Sequence, residues 1–250
     1  MVWLRPSSVV AKVATRTASK LGVRLEHALG SELATLGADI AVPLRGLEPV
    51  EHLSTGFVVT LWERLERVEA PAADPSLAHS LAALHAALAR TRTQLPSFRA
   101  DLLRARLALD DDTVMAALTP ADRRFLRAVY DAGLAELDGV DLDRQRLHGE
   151  PHDGNRVLTA QGVRWIDFEG CCVGPVEWDL AFQSAEVSSR FSDVDGDLLR
   201  RLRRLNGARV ATWCWGMARF PEMRRHGEFH LHVLRAESNR PGNRRPAPGT

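Results

Sequence analysis

The chain has 250 residues, 33 Lys plus Arg against 32 Asp plus Glu, and a formal net charge of +1 at pH 7, which leaves room for one domain or two lobes. The interspersed charges demand neither nucleic acid nor an anionic membrane as partner, and no apolar run approaches the ~18 residues of a membrane span. The three cysteines form no Cys-x-x-Cys pair and indicate neither a disulfide framework nor a zinc ribbon. We therefore expect a cytoplasmic protein of unknown oligomeric state.

The first chain segment predicts two strands, over residues 2–13, with a turn at residues 5–8. Only two of the 33 basic residues are lysine, Lys12 and Lys20. Lys12 lies inside the apolar second strand, where the compact charge of lysine can reach a phosphate, which the planar fork of arginine does less well. The alternative is a strand-edge lysine that extends to water.

A helix follows, because four leucines recur at helical spacing: Leu25, Leu29, Leu33 and Leu36. Gly37 can end this helix, and Glu26 and Glu32 fall at the two edges of its apolar stripe. Residues 56–62 then predict a buried strand.

The next elements are helical. Asp74-Pro75 is a good helix start, and a stripe of leucines follows it: Leu77, Leu81, Leu84 and Leu88. His85 lies on that stripe and is interpreted as a core or boundary histidine, not a ligand. Two more helices are expected over residues 100–136, separated at Thr119-Pro120, and three after residue 177, over 178–187, 194–205 and 210–220. The Pro-, Gly- and Arg-rich residues from 238 onward predict a disordered tail.

Residues 148–180 carry most of the functional signal. Two short strand patterns flank a three-residue loop, Ala160-Gln161-Gly162, and predict a β-hairpin. Asn155 precedes the first strand and Asp167 follows the second, so the hairpin should bring their oxygens together. Glu150 lies just upstream. Carboxylate and amide oxygens at a strand end suit Mg²⁺ bound to phosphates.

This segment resembles the catalytic segment of the aminoglycoside phosphotransferase and choline kinase-like branch of the protein-kinase fold, in which a His-Gly-Asp loop ends in Asn and a hairpin leads to Asp-Phe-Gly or a similar triplet. The points that match are Glu150, Asn155, Asp167 and Asp179. Glu150 stands where the family has Asp, and it reaches one methylene further.

The resemblance implies an α+β, bilobal fold. A small antiparallel-sheet lobe would span residues 1–62, a hinge 63–66 and a mostly helical lobe 67–237, with the tail over 238–250. Only 11 residues precede Lys12 and none is glycine, so the family's glycine-containing phosphate flap is missing here or the natural start lies upstream.

The resemblance also implies a binding site for ATP or GTP. Lys12 would hold the nucleotide phosphates, and Glu32, preferred over Glu26, would pair with it. Backbone groups of the hinge, at Glu63 and Leu65, would hydrogen-bond the base.

On the transfer side, Asn155 and Asp167 would hold Mg²⁺, and Glu150 would take or orient the proton of the acceptor hydroxyl. Asp179 would brace the loop structurally, and His152 and Asp153 would shape it. The acceptor would be a small hydroxyl-bearing molecule whose identity the sequence does not give.

Two other functions stay open at this stage. One is a degenerate phosphotransferase that acts as a nucleotide-binding or scaffold protein. The other is a zinc hydrolase in which His148, Glu150 and His152 converge on a metal, although the Pro-Cys-x-x-Cys motif of the related deaminases is absent.

Overall fold

The computed structural model describes residues 1–14, 17–69, 77–142 and 144–239. Its contacts divide the chain into two compact units, Met1–Phe98 with Leu142–Val194, and Arg99–Asp141 with Asp195–Thr250. The predicted helix start at Asp74-Pro75 and the tail from residue 240 lie outside the described residues. The predicted lobe and hinge boundaries stay predictions.

The first unit opens with an antiparallel sheet of four strands in the order β1-β2-β4-β3. The register places Lys12 opposite Thr60, at the middle of the central strand pair. The predicted strands of this region are confirmed. Their bounds, with the helix between them, are β1 (Val2–Trp3), β2 (Val9–Ala14), α1 (Thr17–Thr35), β3 (Val50–Glu51) and β4 (Val58–Glu63).

Helix α1 packs on this sheet through the predicted apolar stripe. Leu29 and Leu33 are fully buried, and Val23 joins a core cluster with residues of the sheet. The chain leaves the helix at Gly37, whose φ of 72° is a left-handed conformation that glycine adopts without strain. The amide of Ala38 donates to the carbonyl of Leu33 (3.0 Å) and closes the last turn.

The predicted β-hairpin is confirmed in the same unit. Its loop has two residues rather than three, because Gly162, with a φ of 107°, pairs with Thr159 and begins the second strand. The remaining elements of this unit are α2 (Leu77–Leu88), β5 (Gln145–Leu147), β6 (Arg156–Thr159), β7 (Gly162–Trp165), β8 (Cys172–Gly174), α5 (Val176–Leu180) and α6 (Ala185–Ser188), with 3-10 turns at Asp153–Asn155 and Phe168–Gly170.

One predicted helix of the first unit is wrong in its length. Residues 178–187 do not form a single helix, because Ser184 caps a new one: its side chain accepts a hydrogen bond from the amide of Val187 (3.2 Å). The leucine stripe of α2 is confirmed, since all four predicted leucines are buried.

The second unit contains four described helices, α3 (Arg99–Ala108), α4 (Pro120–Leu137), α7 (Gly196–Gly216) and α8 (Pro221–Ser238). The predicted separation of two helices at Thr119-Pro120 is confirmed, and Thr119 caps α4 by accepting from the amide of Asp122. The predicted helices over 194–205 and 210–220 are instead one helix of 21 residues. Gly207 lies within this continuous helix and contacts Leu234 of α8. Helix α8 was not predicted from the sequence.

Strands and helices together confirm the α+β class. No helix among the described residues is both long enough and apolar enough to cross a membrane.

Candidate active site

The hairpin brings its two ends together. The amide of Ile166 donates to the carbonyl of Asn155 (3.0 Å), and Arg156 pairs with Trp165. Asn155 and Asp167 therefore leave the two strands side by side. Both line one cavity of about 420 Å³, a volume typical of sites for small molecules.

The cavity is lined by residues from both chain segments of the first unit. Its walls come from β2, α1, the end of β4 and the residues that flank the hairpin. Trp62, at the end of β4, forms part of the wall. The predicted site residues that line this cavity are Lys12, Glu63, Leu65, Asn155 and Asp167.

Lys12 lies at the centre of a charged group that we call the lysine cluster: Lys12, Glu26, Asp167 and Glu169. Its Nζ lies 2.7 Å from Glu26, 2.9 Å from Asp167 and 2.6 Å from Glu169. Burial alone would lower the pKa of Lys12, but the three carboxylates outweigh it and raise that pKa. Lys12 is therefore firmly protonated, and the alternative of a lysine that merely extends to water is wrong.

Glu26 joins two parts of the site. One carboxylate oxygen accepts from Lys12, and the other accepts from the amide of Phe168 (3.2 Å), directly after Asp167. The side chain is buried. Burial raises the pKa of Glu26 to about 7, although Lys12 opposes the rise. Glu26 thus links the lysine strand to the turn that carries Asp167.

The predicted pairing of Lys12 with Glu32 is wrong, and Glu26 is its partner. Glu32 instead accepts hydrogen bonds from the amides of Arg92 (2.5 Å) and Thr93 (3.0 Å) and from the Thr93 hydroxyl. Burial would raise the pKa of Glu32, but these hydrogen bonds lower it. Six residues turn a helix by roughly 240°, so Glu26 and Glu32 point in different directions, and the sheet receives Glu26.

Asp167 has a left-handed backbone, with φ 66° and ψ 68°. Aspartate is among the few side chains that adopt this conformation, and such strain of roughly 1–3 kcal/mol tends to occur at functional sites. The side chain is 42% exposed while bound to Lys12. The residue held in this conformation lines the cavity.

The loop from residue 148 to residue 155, called here the 148–155 loop, is held by Asp179. This fully buried carboxylate accepts from the amides of His148 (3.0 Å) and Gly149 (2.8 Å), and it lies 2.7 Å from Nε2 of His85. The prediction that Asp179 braces the loop is confirmed. His85 is buried as predicted, and its ring adds a third contact to the same carboxylate.

Glycine is required at position 149. Its φ is 86°, and a Cβ there would lie 1.9 Å from the carbonyl oxygen of Gly170. The loop therefore packs backbone to backbone against the turn that follows Asp167. His152 and Asp153 shape the end of the loop, as predicted. Nδ1 of His152 accepts a hydrogen bond from the amide of Gly154 (3.0 Å), and Asp153 forms an ion pair with Arg156 (2.7 Å).

Glu150 is half-buried beside Asn155. The side-chain amide of Asn155 donates to the Glu150 carbonyl (3.0 Å), which leaves the amide oxygen of Asn155 as its donor atom for a cation. The Glu150 side chain runs across Gly170: a Cβ at that glycine would lie 3.0 Å from Cγ of Glu150.

The zinc site considered from the sequence is not formed. His148 is fully buried; its Nδ1 accepts from the amide of Glu150 (3.3 Å) and its Nε2 lies 3.1 Å from the Ile166 carbonyl. Burial lowers the pKa of His148 despite nearby Asp179. Because both ring nitrogens contact the backbone, and His152 is engaged within its own turn, these side chains do not converge on a metal.

The donor set fits a hard cation instead. Within the described ranges, the group of acidic or ligating side chains close enough to share an ion is Glu26, Asp167 and Glu169, with oxygens within 4.8 Å of one another. Each of these three carboxylates already contacts the Lys12 ammonium, so the oxygen donors that would hold Mg²⁺ are those of Asn155 and Asp167. Sequence reasoning missed Glu169, although the Asp-x-Glu spacing at the start of a turn was a signal for it.

Comparison with known sequences gives one family match. The sequence model described as "APH: Phosphotransferase enzyme family" matches residues 2–221. No curated protein sequence matches the chain.

Solved structures of similar fold include a choline kinase from Streptococcus pneumoniae, at 14% identity and a TM-score of 0.65, covering 90% of this chain and 86% of that one. An amicoumacin kinase in complex with AMP-PNP, Ca²⁺ and Ami has 12% identity and a TM-score of 0.67, with coverages of 92% and 82%. The GDP and kanamycin complex of APH(2")-IIia has 16% identity and a TM-score of 0.62, with coverages of 86% and 84%. These likenesses confirm the predicted kinase-like fold.

Proposed function

The chain belongs to the phosphotransferase enzyme family, and on that premise we propose that it transfers the γ-phosphoryl group of ATP or GTP to a hydroxyl group of a small molecule. The observation that carries the proposal is the cavity, in which Lys12, Asn155 and Asp167 meet the end of β4. Phosphoryl transfer needs mainly positioning and neutralisation of charge, and these residue types supply both. The nucleotides bound in two of the similar structures support a nucleotide co-substrate.

The nucleotide would occupy this cavity. Lys12 would bind the phosphates, held by Glu26. Glu63 and Leu65 lie at the cavity wall where the base would sit. Among the described residues, no backbone carbonyl accepts a hydrogen bond from the Leu65 amide, so this donor suits a ring nitrogen of a purine.

Asn155 and Asp167 would hold Mg²⁺, which neutralises negative charge on the phosphoryl oxygens when it is bound. Asp167 contacts Lys12 at 2.9 Å, so the same carboxylate serves the lysine and the cation. This arrangement keeps the two positive groups next to each other, where a triphosphate needs them.

Glu150 would act as the general base. A bond forms between the acceptor oxygen and the γ-phosphorus while the bond from that phosphorus to the β–γ bridging oxygen breaks. The acceptor proton passes to the Glu150 carboxylate, and the nucleoside diphosphate leaves. Because Glu150 is one methylene longer than the family's Asp, its carboxylate would meet the acceptor hydroxyl further from the loop.

The nucleotide site is tested by thermal-shift measurements with ATP and GTP, each with and without Mg²⁺. We expect wild type to gain Mg²⁺-dependent stability and Asp167→Ala to lose it while remaining folded. Asp112→Ala, which removes a highly exposed carboxylate of the second unit, is the matched control. If Asp167→Ala binds Mg-nucleotide as well as this control does, the assignment is wrong.

Transfer itself is tested on a panel of small hydroxyl compounds. Glu150→Gln should reduce turnover by roughly 10²–10⁴-fold, the usual share of general acid–base catalysis, and leave nucleotide binding unchanged. Equal transfer by wild type and Glu150→Gln would remove Glu150 from the mechanism. Nucleotide binding without transfer by either protein would favour a degenerate, nucleotide-binding role.

A further inference from the structure

Gly170 is a glycine that its own backbone does not require. It ends the 3-10 turn Phe168–Gly170, and its φ lies outside the left-handed region in which Gly149 is held. An alanine at position 170 would therefore meet no conformational penalty. The reason for glycine has to be sought in what lies next to it.

The neighbour is the Glu150 side chain. A Cβ on Gly170 would lie 3.0 Å from Cγ and 3.5 Å from Cδ of Glu150, and 3.7 Å from the His148 carbonyl oxygen, which is an ordinary contact. The close approach is to Cγ, only two bonds from the backbone, and not to a flexible end. A side chain at position 170 would therefore push Cγ of Glu150 aside by a few tenths of an ångström, and the carboxylate attached to it would shift as well.

We propose that Gly170 is a positioning residue, and that its missing side chain supplies the space in which Glu150, one methylene longer than aspartate, lies along the turn. The inference rests on the proposed role of Glu150 as the base. Because Gly170 follows Asp167 by three residues, the turn that carries a metal-binding carboxylate also forms one wall of the slot for the base. Glu150 and Gly170 then work as a pair.

The proposed pairing predicts that Gly170→Ala lowers kcat and leaves the KM for Mg-ATP unchanged. A misplacement near 1 Å can reduce a rate about 10²-fold, and the smaller shift expected here should lower kcat on the order of 3- to 10-fold. The KM for Mg-ATP should not change, because the lysine cluster and Leu65 keep their positions. The rate is measured as phosphate released from Mg-ATP with water as acceptor, and again with any acceptor found on the panel.

The decisive comparison is made in the Glu150→Gln background. Glutamine has the shape of glutamate but no base to misplace, so Gly170→Ala should cause no further loss of rate there. The same fold-loss in both backgrounds would mean that Gly170 acts through something other than Glu150, and the inference would be overturned. A rise in the KM for Mg-ATP together with the loss of kcat would overturn it as well.

Thermal melting tests the contact without any activity. Gly170→Ala should lower Tm equally in wild type and in Glu150→Gln, and should lower it little or not at all in Glu150→Ala, where Cγ is absent. Gly149→Ala is the control that should lower Tm in all three backgrounds, because its clash is with backbone. Equal effects of Gly170→Ala in all three would refute the pairing.

These outcomes separate the inference from the proposed function. If Glu150→Gln loses turnover and Gly170→Ala does not, the inference fails and the base assignment stands. If wild type neither binds Mg-nucleotide nor releases phosphate, the proposed function fails, and with it the positioning role, while the melting comparison still decides whether the contact exists.

Discussion

The lysine cluster and the 148–155 loop lie in the same unit of the chain but are held by different interactions. The cluster is held by charge: one ammonium contacts three carboxylates at 2.6–2.9 Å. The loop is held by backbone: two buried amides donate to Asp179, and Gly149 packs against a carbonyl oxygen.

The difference predicts two kinds of response to change. Charge interactions act over distance and respond to pH, so a cluster residue can be replaced by a neutral one of the same shape with the fold preserved. Buried hydrogen bonds act only at contact, and a donor that loses its acceptor is left unsatisfied. Substitutions in the loop brace should therefore affect folding first, and substitutions in the cluster should affect binding and pH dependence first.

The largest effect is expected from Asp179→Ala. Removing this carboxylate leaves two buried amides and His85 without their acceptor, and we expect the free energy of unfolding to fall by about 3–5 kcal/mol. Urea denaturation measures the change. Asp112→Ala removes a surface carboxylate that pairs with Arg123 and should change it by about 1 kcal/mol or less. Similar stability of the two variants would contradict the bracing role.

A smaller effect, specific to pH, is expected from Glu26→Gln. The pKa of Glu26 is raised from 4.5 to about 7 in the folded protein. The folded state then keeps a proton that the unfolded chain releases, so stability from this group is complete below pH 4.5 and is lost as pH rises toward 7. The variant lacks this titration and should show a flatter profile of Tm between these pH values.

The control for this profile is Glu32→Gln, because the pKa of Glu32 is lowered rather than raised. It should keep the decline of Tm with rising pH that wild type owes to Glu26. A Glu26→Gln profile as steep as that of wild type would show that the charge of the cluster does not govern this pH range.

The smallest effect on activity is expected from Glu32→Gln itself. Glu32 contacts Arg92 and Thr93, not Lys12, so phosphoryl transfer should stay within about twofold of wild type while stability falls by about 0.5–1.5 kcal/mol. Glu26→Ala, measured in parallel, should lose transfer far more strongly because Lys12 loses its buried partner. A larger loss from Glu32→Gln than from Glu26→Ala would show that Glu32, not Glu26, supports Lys12.

The hairpin and the loop brace could be predicted from sequence because local patterns specify them. Two short β-type runs and a glycine turn define the strands that join Asn155 to Asp167, and the spacing of Asp179 matches the family pattern. The helix start at Thr119 follows equally from local capping chemistry.

The partner of Lys12 could not be predicted in the same way. Glu26 and Glu32 both border the leucine stripe of α1, and only the rotation of the helix against the sheet decides between them. Likewise, the continuity of α7 past Gly207 depends on packing against Leu234, 27 positions further along the chain. Such choices are made by tertiary contacts, which no window of sequence contains.

The scarcity of lysine in this chain has a consequence for chemical labelling. Amine-reactive reagents attack only the deprotonated amine, and the chain offers them two lysine side chains. Lys12 is held protonated among its three carboxylates and should be protected, whereas Lys20, which pairs with the half-exposed Glu51, should be modified before it. Mass spectrometry would measure the extent of labelling at each lysine. Labelling of Lys12 would report whether the charged cavity is intact, and labelling of Lys20 would serve as the internal standard.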